Sequence, residues 1–221
     1  MVTKGENITS NKELSRRKQH YVYRINKRLF DIILSIIGII LFFIPGLIIS
    51  FLIKKESPRG SVFYTQIRIG KNNKPFKMYK FRSMYENADQ QLEQLLDKNE
   101  VAGPMFKMKN DPRVTPIGNK IRAHSLDEIP QLWNVLKGEM SLVGPRPPLP
   151  REVKEYTDYD KLRLLVKPGC TGLWQVSARS NVGFDKMLEL DLKYIRNRSF
   201  FYDFKIILKT IKIMIYPNSA Y

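Results

Sequence analysis

Ser125-Leu126-Asp127-Glu128-Ile129-Pro130-Gln131-Leu132-Trp133-Asn134, followed by Gly144-Pro145-Arg146-Pro147-Pro148, is the stretch on which the reading of this chain turns. A helix is expected from Leu126 to Lys137, stopping at Gly138. Two adjacent carboxylates, Asp127 and Glu128, then stand at its start. Ser125 followed three residues later by Glu128 matches a capping box, in which both side chains satisfy free backbone amides. Acidic residues are also ordinary in a first turn, where the helix dipole favours them, and Pro130 is tolerated there. The same physics serves chemistry. A carboxylate at a helix N-terminus is kept ionised, and an ionised Asp attacks phosphorus to give an aspartyl phosphate. The neighbouring Glu128 could bind a metal ion or handle a proton. Arg146, between Pro145 and Pro147, is a guanidinium on a backbone with little freedom, suited to bidentate phosphate binding and equally to a plain surface turn. Arg122, Lys80 and Arg82 add cations that singly read as solvated charges. A hydrolase triad of His124, Ser125 and Asp127 is excluded, because triad members come from separated parts of a fold and no nucleophile-elbow sequence is present.

The 221 residues suffice for one packed domain with an appendage. Of the net charge of +17, residues 1–80 hold +12, from 16 Lys+Arg against 4 Asp+Glu. Such a basic arm suits an anionic partner, nucleic acid or an acidic membrane surface. A single cysteine, Cys170, leaves no intrachain disulfide and no zinc set, and two histidines argue against a multi-histidine centre. A metal here would be a hard ion on oxygen ligands. Residues 1–24 read as a flexible basic arm, and no cleavage site of the signal-peptide kind follows the apolar stretch.

That stretch, Ile32 to Ile53, is interrupted by polar side chains only at Ser35 and Ser50. As a straight helix it would reach roughly 33 Å, enough to cross a hydrocarbon core of about 30 Å. Two features favour a re-entrant hairpin over a crossing. Pro45-Gly46 should bend the helix. Both flanks are basic (Arg24, Lys27, Arg28; Lys54, Lys55, Arg59), and basic flanks compete for the cytoplasmic side. Residues 25–56 are therefore read as a re-entrant membrane helix, and 57–221 as a cytoplasmic catalytic domain. Near its end, Lys205, Lys209 and Lys212 share one face of an apolar helix, which fits either an interfacial helix or one packed on its own domain. Between these, Val62–Thr65 and Phe76–Phe81 read as strands joined at Gly70–Asn73, Asn87–Lys98 as a polar helix, 101–119 as loop, and 152–165 and 184–198 as helices. The fold class is α+β, helix-rich: a small membrane-associated domain with interfacial amphipathic helices.

At these motifs the chain resembles the bacterial sugar transferases, the monotopic polyprenyl-phosphate phosphoglycosyl transferases. The resemblance is carried by Ser125 to Gly138 and Met140 to Pro147. It extends through Lys27-Arg28-Leu29-Phe30-Asp31, Gln66-Ile67-Arg68-Ile69-Gly70, Lys80-Phe81-Arg82-Ser83-Met84, Asp111 to Thr115 and Thr171 to Val176. It implies transfer of a sugar-1-phosphate from a UDP-sugar to polyprenyl phosphate at the cytoplasmic face of the bacterial membrane. UMP would be released, with magnesium as cofactor, to initiate capsule, exopolysaccharide or another lipid-linked glycan. It implies Asp127 and Glu128 as the catalytic and metal-binding dyad, with Asp127 forming a covalent phosphosugar intermediate. It implies Arg122, Arg146, Lys80, Arg82 and Gln131 as phosphate and substrate contacts, and Pro45 as the break in the membrane helix. The partners implied are UDP-sugar, polyprenyl phosphate and anionic lipid rather than nucleic acid, with room for a homo-oligomer. Ile44 stands where many members have a Ser before the breaking proline.

Two other readings account for part of the pattern: a membrane-anchored binding module using the basic arm, and a nucleotide-sugar hydrolase in which water replaces the lipid. A pure binder would not need Asp127 and Glu128 beside Arg146. Asp127→Asn is expected to abolish turnover while folding and membrane association are retained, as read by circular dichroism and flotation; full activity in that variant would refute Asp127 as nucleophile.

Overall fold

The computed structural model describes residues 21–101, 103–106, 108–177 and 183–216. The expected basic arm thus falls almost wholly outside the described residues. The helix-rich α+β class holds. Two helices, α1 (Tyr21–Leu41) and α2 (Phe43–Glu56), meet at a bend of 58°. The break falls at Phe42, three residues before the expected one. Pro45 is still its cause: its ring would collide with the Leu41 carbonyl and it has no N–H to offer that oxygen. Intact bonds from Phe42 N to Gly38 O and from Gly46 N to Phe42 O, 2.9 and 2.8 Å, bracket the gap. Among the described residues no single helix is long and apolar enough to cross a membrane; this bent pair together meets that test.

A β-hairpin follows. β1 (Phe63–Ile69) pairs antiparallel with β2 (Pro75–Phe81), opposing Tyr64 to Lys80 and Ile69 to Pro75. The tight link at Lys71–Asn73 places Asn72 and Asn73 at positive φ, which asparagine tolerates. The polar helix expected over Asn87–Lys98 is broken into one turn, α3 (Ala88–Gln91), and a 3-10 segment (Glu93–Lys98), because only Leu95 and Ala88 are buried to hold it. The segment expected as loop to residue 119 gives way earlier to α4 (Pro116–Ala123). Thr115 caps it, accepting from Gly118 N at 3.0 Å, and Pro116 occupies its first position.

The helix expected from Leu126 begins later. Leu126–Glu128 is a 3-10 turn, and α5 runs from Gln131 to Lys137. Ser125 has φ 56° and no capping bond from its side chain, so the expected capping box is not formed. Gly138, at φ 82°, ends α5 in the left-handed conformation that glycine adopts without strain. β3 (Ser141–Val143) then pairs in parallel with β4 (Gly169–Thr171), a contact the sequence reading lacked. Between these strands lie α6 (Pro150–Lys154) and a 3-10 segment (Asp160–Leu165), where one helix over 152–165 was expected. α7 (Leu173–Ser177), α8 (Phe184–Asn197) and α9 (Phe200–Ile215) complete the chain.

The main core gathers around α8, with Met187, Leu192, Tyr194, Val135, Met140 and Ile206 fully enclosed. A second core joins Ile49 and Ile53 of α2 to Phe81 and Ile121, with Leu126 and Ile129 packed against it. α1 is tied to the domain by polar contacts. Arg28 donates to the carbonyls of Val135 and Leu136 at 2.6 and 2.8 Å, closing the C-terminal end of α5. Asp31 accepts from Ser141 Oγ and Leu142 N, both at 3.1 Å, and Lys27 Nζ reaches Asp203 at 2.7 Å. The bent pair is thus bolted to the domain at both arms.

α9 carries two faces. Asp203 and Ile206 are buried against the domain, while Phe201, Phe204, Leu208, Ile211 and Ile215 form an exposed apolar stripe, led by Phe201 at 83% exposure. The two readings of this helix are therefore compatible. Beneath the core, Arg163 is fully enclosed and donates to Asp191 at 2.5 Å, to Tyr156 Oη at 2.7 Å and to the Arg146 carbonyl at 3.0 Å. Removing one partner of such a pair leaves an uncompensated buried charge, at a cost of about 3–5 kcal/mol. Asp191→Ala is expected to lower the melting temperature accordingly, and Arg163→Met with Asp191→Leu to recover most of the loss; equal destabilisation in both would contradict this account.

Candidate active site

The dyad sits where three elements meet. Its 3-10 turn is fastened from below by Leu126 and Ile129, which pack on α2, Phe81 and Ile121. Beside it runs β2, whose register is set by Asn134. This fully enclosed amide accepts from Tyr79 N at 3.1 Å and donates to Lys77 O at 2.7 Å. A buried amide that bonds a C=O and an N–H two residues apart on one edge of a strand fixes that strand's register, because a slip would leave the amide unsatisfied. The next inward position along β2 is Lys80, and its ammonium reaches both carboxylates, at 2.7 Å from Glu128 Oε1 and 3.5 Å from Asp127 Oδ2.

Burial decides the electrostatics. Asp127 is enclosed, and its desolvation, reinforced by the neighbouring Glu128, raises its pKa above the usual carboxylate value; Lys80 and Arg122 oppose that rise. The expected helix start does not keep Asp127 ionised, because α5 begins four residues further on. Lys80 supplies the positive charge instead. Glu128 goes the other way: burial works against its charge, but the field and hydrogen bond of Lys80, with Arg146 and Arg68, hold its pKa below the ordinary value. Its side chain is 37% exposed, so it is the carboxylate of the pair that reaches solvent.

Of the expected phosphate contacts, Lys80 is in direct contact with the dyad. Arg122 is exposed in the last turn of α4, and its charge is felt at Asp127. Arg146 is felt at Glu128, but one side of its guanidinium is engaged by Glu152, at 3.0 Å from Nη1 to Oε2. Gln131 is buried at the start of α5. Arg82 turns elsewhere, donating from Nε to Ser61 O at 2.6 Å.

The Pro145–Pro147 segment is held by close backbone approach. A Cβ on Gly144 would lie 2.6 Å from Lys167 O, and one on Gly169 would lie 2.1 Å from Gly144 N. Gly169 N donates to Pro145 O at 2.9 Å across this gap. Residues with side chains could not bring these backbones together.

Three contributors escaped the sequence reading. Arg68, on β1, donates to Pro147 O at 3.0 Å and to Gln66 Oε1 at 2.8 Å. Burial, then the nearby Arg146, lower its pKa to about 9, so it stays cationic at neutral pH. Its alternation with Gln66 along a strand was the available signal. Glu152 and Asn134 carried no signal beyond polar residues in helical segments. His124 points away from the dyad: its Nδ1 lies 2.8 Å from Met214 O, joining α4 to the end of α9.

No described group of three or more His, Cys, Asp or Glu side chains could hold a metal. The expected magnesium needs fewer, since that ion commonly takes one or two carboxylates together with waters and substrate phosphate. Adjacent Asp127 and Glu128, one of them solvent-facing and held ionised, fit such a minimal oxygen set.

The sequence profile described as bacterial sugar transferase matches residues 22–217. The "Galactosyl transferase CpsE" of Streptococcus agalactiae serotype III is 45% identical over 202 residues, which cover 90% of this chain and 44% of that protein. The "Undecaprenyl-phosphate galactose phosphotransferase" of Salmonella typhimurium is 44% identical, over 90% of this chain and 42% of its own length. The chain therefore spans less than half the length of these two relatives. By contrast, the "Exopolysaccharide production protein ExoY" of Rhizobium meliloti is 41% identical over 88% of each chain. With nearly every described residue inside the matched region, the chain belongs to the bacterial sugar transferase family.

Proposed function

We propose that this protein transfers a sugar-1-phosphate from a UDP-sugar to polyprenyl phosphate at the cytoplasmic face of the bacterial membrane, opening the assembly of a lipid-linked glycan. The observation that carries this reading is a buried Asp127 in contact with Lys80, on a turn packed directly on α2 of the apolar bent pair. Relatives whose names include an undecaprenyl-phosphate galactose phosphotransferase and an undecaprenyl-phosphate N-acetylgalactosaminephosphotransferase support the reaction class.

In the proposed cycle an Asp127 oxygen attacks the phosphorus that bears the sugar. The bond from that phosphorus to the bridging oxygen breaks, and UMP leaves with the oxygen. A polyprenyl phosphate oxygen then attacks the same phosphorus, the aspartyl P–O bond breaks, and Asp127 is restored. Phosphoryl transfer is mostly positioning and charge stabilisation. Lys80 keeps Asp127 available as an anion, while Arg68, Arg122 and Arg146 supply the field for a diphosphate. Magnesium, held by Glu128 with Asp127, would neutralise charge on the phosphate oxygens.

The helix pair supports a membrane-embedded wedge. Leu29–Leu41 and α2 are each about 20 Å long. A symmetric V with the observed bend would sink its apex roughly 10 Å into a core about 30 Å thick and return both ends to one face. Its exposed surface is apolar, including Ile36, Ile40, Leu41, Phe43, Ile44, Leu47 and Phe51. A lipid phosphate arriving at that face would meet the dyad without leaving the interface.

UMP release from a panel of UDP-sugars tests the reaction. Release that requires added polyprenyl phosphate for turnover is expected; equal release without it would point to hydrolysis, and none with any sugar would refute the proposal. Lys80 gives a pH test. Asp127 must be deprotonated to attack, and removing a neighbouring cation raises its pKa. Lys80→Met should therefore move the acid limb of the pH–rate profile upward, by about one unit for each 1.4 kcal/mol lost, and cut activity at neutral pH by about tenfold or more. An unmoved acid limb would show that Lys80 does not tune Asp127.

A further inference from the structure

Away from the dyad, a cleft of about 560 Å³ opens between the start of α1, the Lys71–Asn73 turn and the Val166–Lys167 segment. Its wall carries Arg24, Lys27, Arg28, Lys71, Lys167 and Arg198, and Asp31 is the carboxylate among its lining residues. Several of these groups are already engaged. Lys27 pairs with Asp203, Arg28 binds the end of α5, and Asp31 accepts from Ser141 and Leu142. Arg24, Lys71 and Lys167 form no ion pair with any described carboxylate.

These cations are crowded rather than spread over a solvated face. Lys167 Nζ and Arg28 Nη2 converge on one point: a Cβ on Gly138 would lie 3.4 Å from the first and 3.5 Å from the second. Burial, then repulsion from Arg24 and Arg198, lower the pKa of Lys71; burial, then Arg28, do the same to Lys167, with Lys71 and Arg24 adding to it. Like charges gathered in a concave, partly dry site focus a positive potential that an anion relieves.

The lip of the cleft is apolar. Ile25 and Leu29 line it and are 48% and 56% exposed. With Ile33, Ile36 and Ile40, also exposed, they run as one stripe along α1 toward the bend. A soluble anion has no use for such a stripe. An amphiphile with its phosphate among the cations and its chains along α1 satisfies both surfaces.

We propose that this cleft is a binding site for the phosphate headgroup of an anionic membrane phospholipid, with Arg24, Lys71 and Lys167 as its ligands. The site rests on the interfacial placement of α1 given above, but not on the identity of the reaction. It would fix the depth and orientation of the wedge from the C-terminal end of α5, where Arg28 and Lys167 meet.

The test uses the full chain in zwitterionic detergent, with fluorescent phosphatidylglycerol and phosphatidylcholine as probes. Wild type should prefer phosphatidylglycerol. Each basic residue near an anionic surface is worth about fivefold in affinity, so Lys71→Gln with Lys167→Gln should weaken phosphatidylglycerol binding tenfold or more. Phosphatidylcholine binding and the melting temperature should hold. An unchanged preference in the double variant overturns the site. An equal loss in Lys54→Gln with Lys55→Gln, on the other flank of the wedge, overturns it in favour of diffuse surface charge. Displacement by inorganic phosphate or glycerol phosphate at the lipid's own concentration overturns the lipid as occupant, whereas no displacement supports it. UMP release measured on the same samples should be unchanged in the Lys71 and Lys167 variant. If wild type binds phosphatidylglycerol selectively but releases no UMP, the reaction is refuted and the site stands.

Discussion

A carboxylate enclosed by protein stays ionised only where charge or hydrogen-bond donors replace its lost water, and at Asp127 that replacement is, among the described residues, a single cation. Lys80 provides the charge, so β2 must lie where its ammonium can reach the 3-10 turn. β1 pairs with β2 and brings Arg68 to the backbone of the Pro145–Pro147 segment. Asn134, in the helix that follows the dyad, clamps β2 in register. Shifting β2 by one residue would move Lys80 to the other face of the strand and leave Asp127 buried without its cation. The ion pair and the strand register are therefore one feature seen from two ends.

The second constraint is mechanical. The turn bearing the dyad shares an apolar core with α2 through Leu126 and Ile129, while α1 grips α5 through Arg28 and β3 through Asp31. Gly38 lies so close to Leu132 that an added Cβ would come within 2.9 Å of it. Both arms of the bent pair thus hold the segment that carries Asp127 and Glu128. On the proposed reading, this fixes the height of the nucleophile above the lipid, and the reaction needs no large domain motion to bring acceptor phosphate and dyad together.

Much of this was legible in the sequence, for physical reasons that differ by element. The bent pair was readable because a proline inside an otherwise apolar run leaves little choice; only the break point moved, since a proline disrupts the preceding turn rather than its own. β2 was readable almost whole, but β1 only over Phe63–Thr65 of the Phe63–Ile69 that pairs, because Gln66 and Arg68 interrupt its apolar run. The dyad turn was misread as a capped helix because the Ser125–Glu128 spacing fits a capping box, whereas Ser125 adopts a left-handed conformation that spacing cannot reveal. The parallel pairing of β3 with β4 is made of three-residue strands joined through backbone contacts at Gly144 and Gly169, too short for a pattern. Arg68 and Glu152 became part of the site only once long-range pairing placed them there.

The central claim is that Asp127 is the nucleophile of a two-step transfer. Its most direct test is the intact mass of the protein after incubation with a UDP-sugar and magnesium, with no polyprenyl phosphate added. The account predicts an adduct of one sugar-phosphate, localised to the peptide bearing Asp127, which disappears when polyprenyl phosphate is added. Turnover through a ternary complex, with no adduct on rapid quenching or an adduct on another residue, would contradict it.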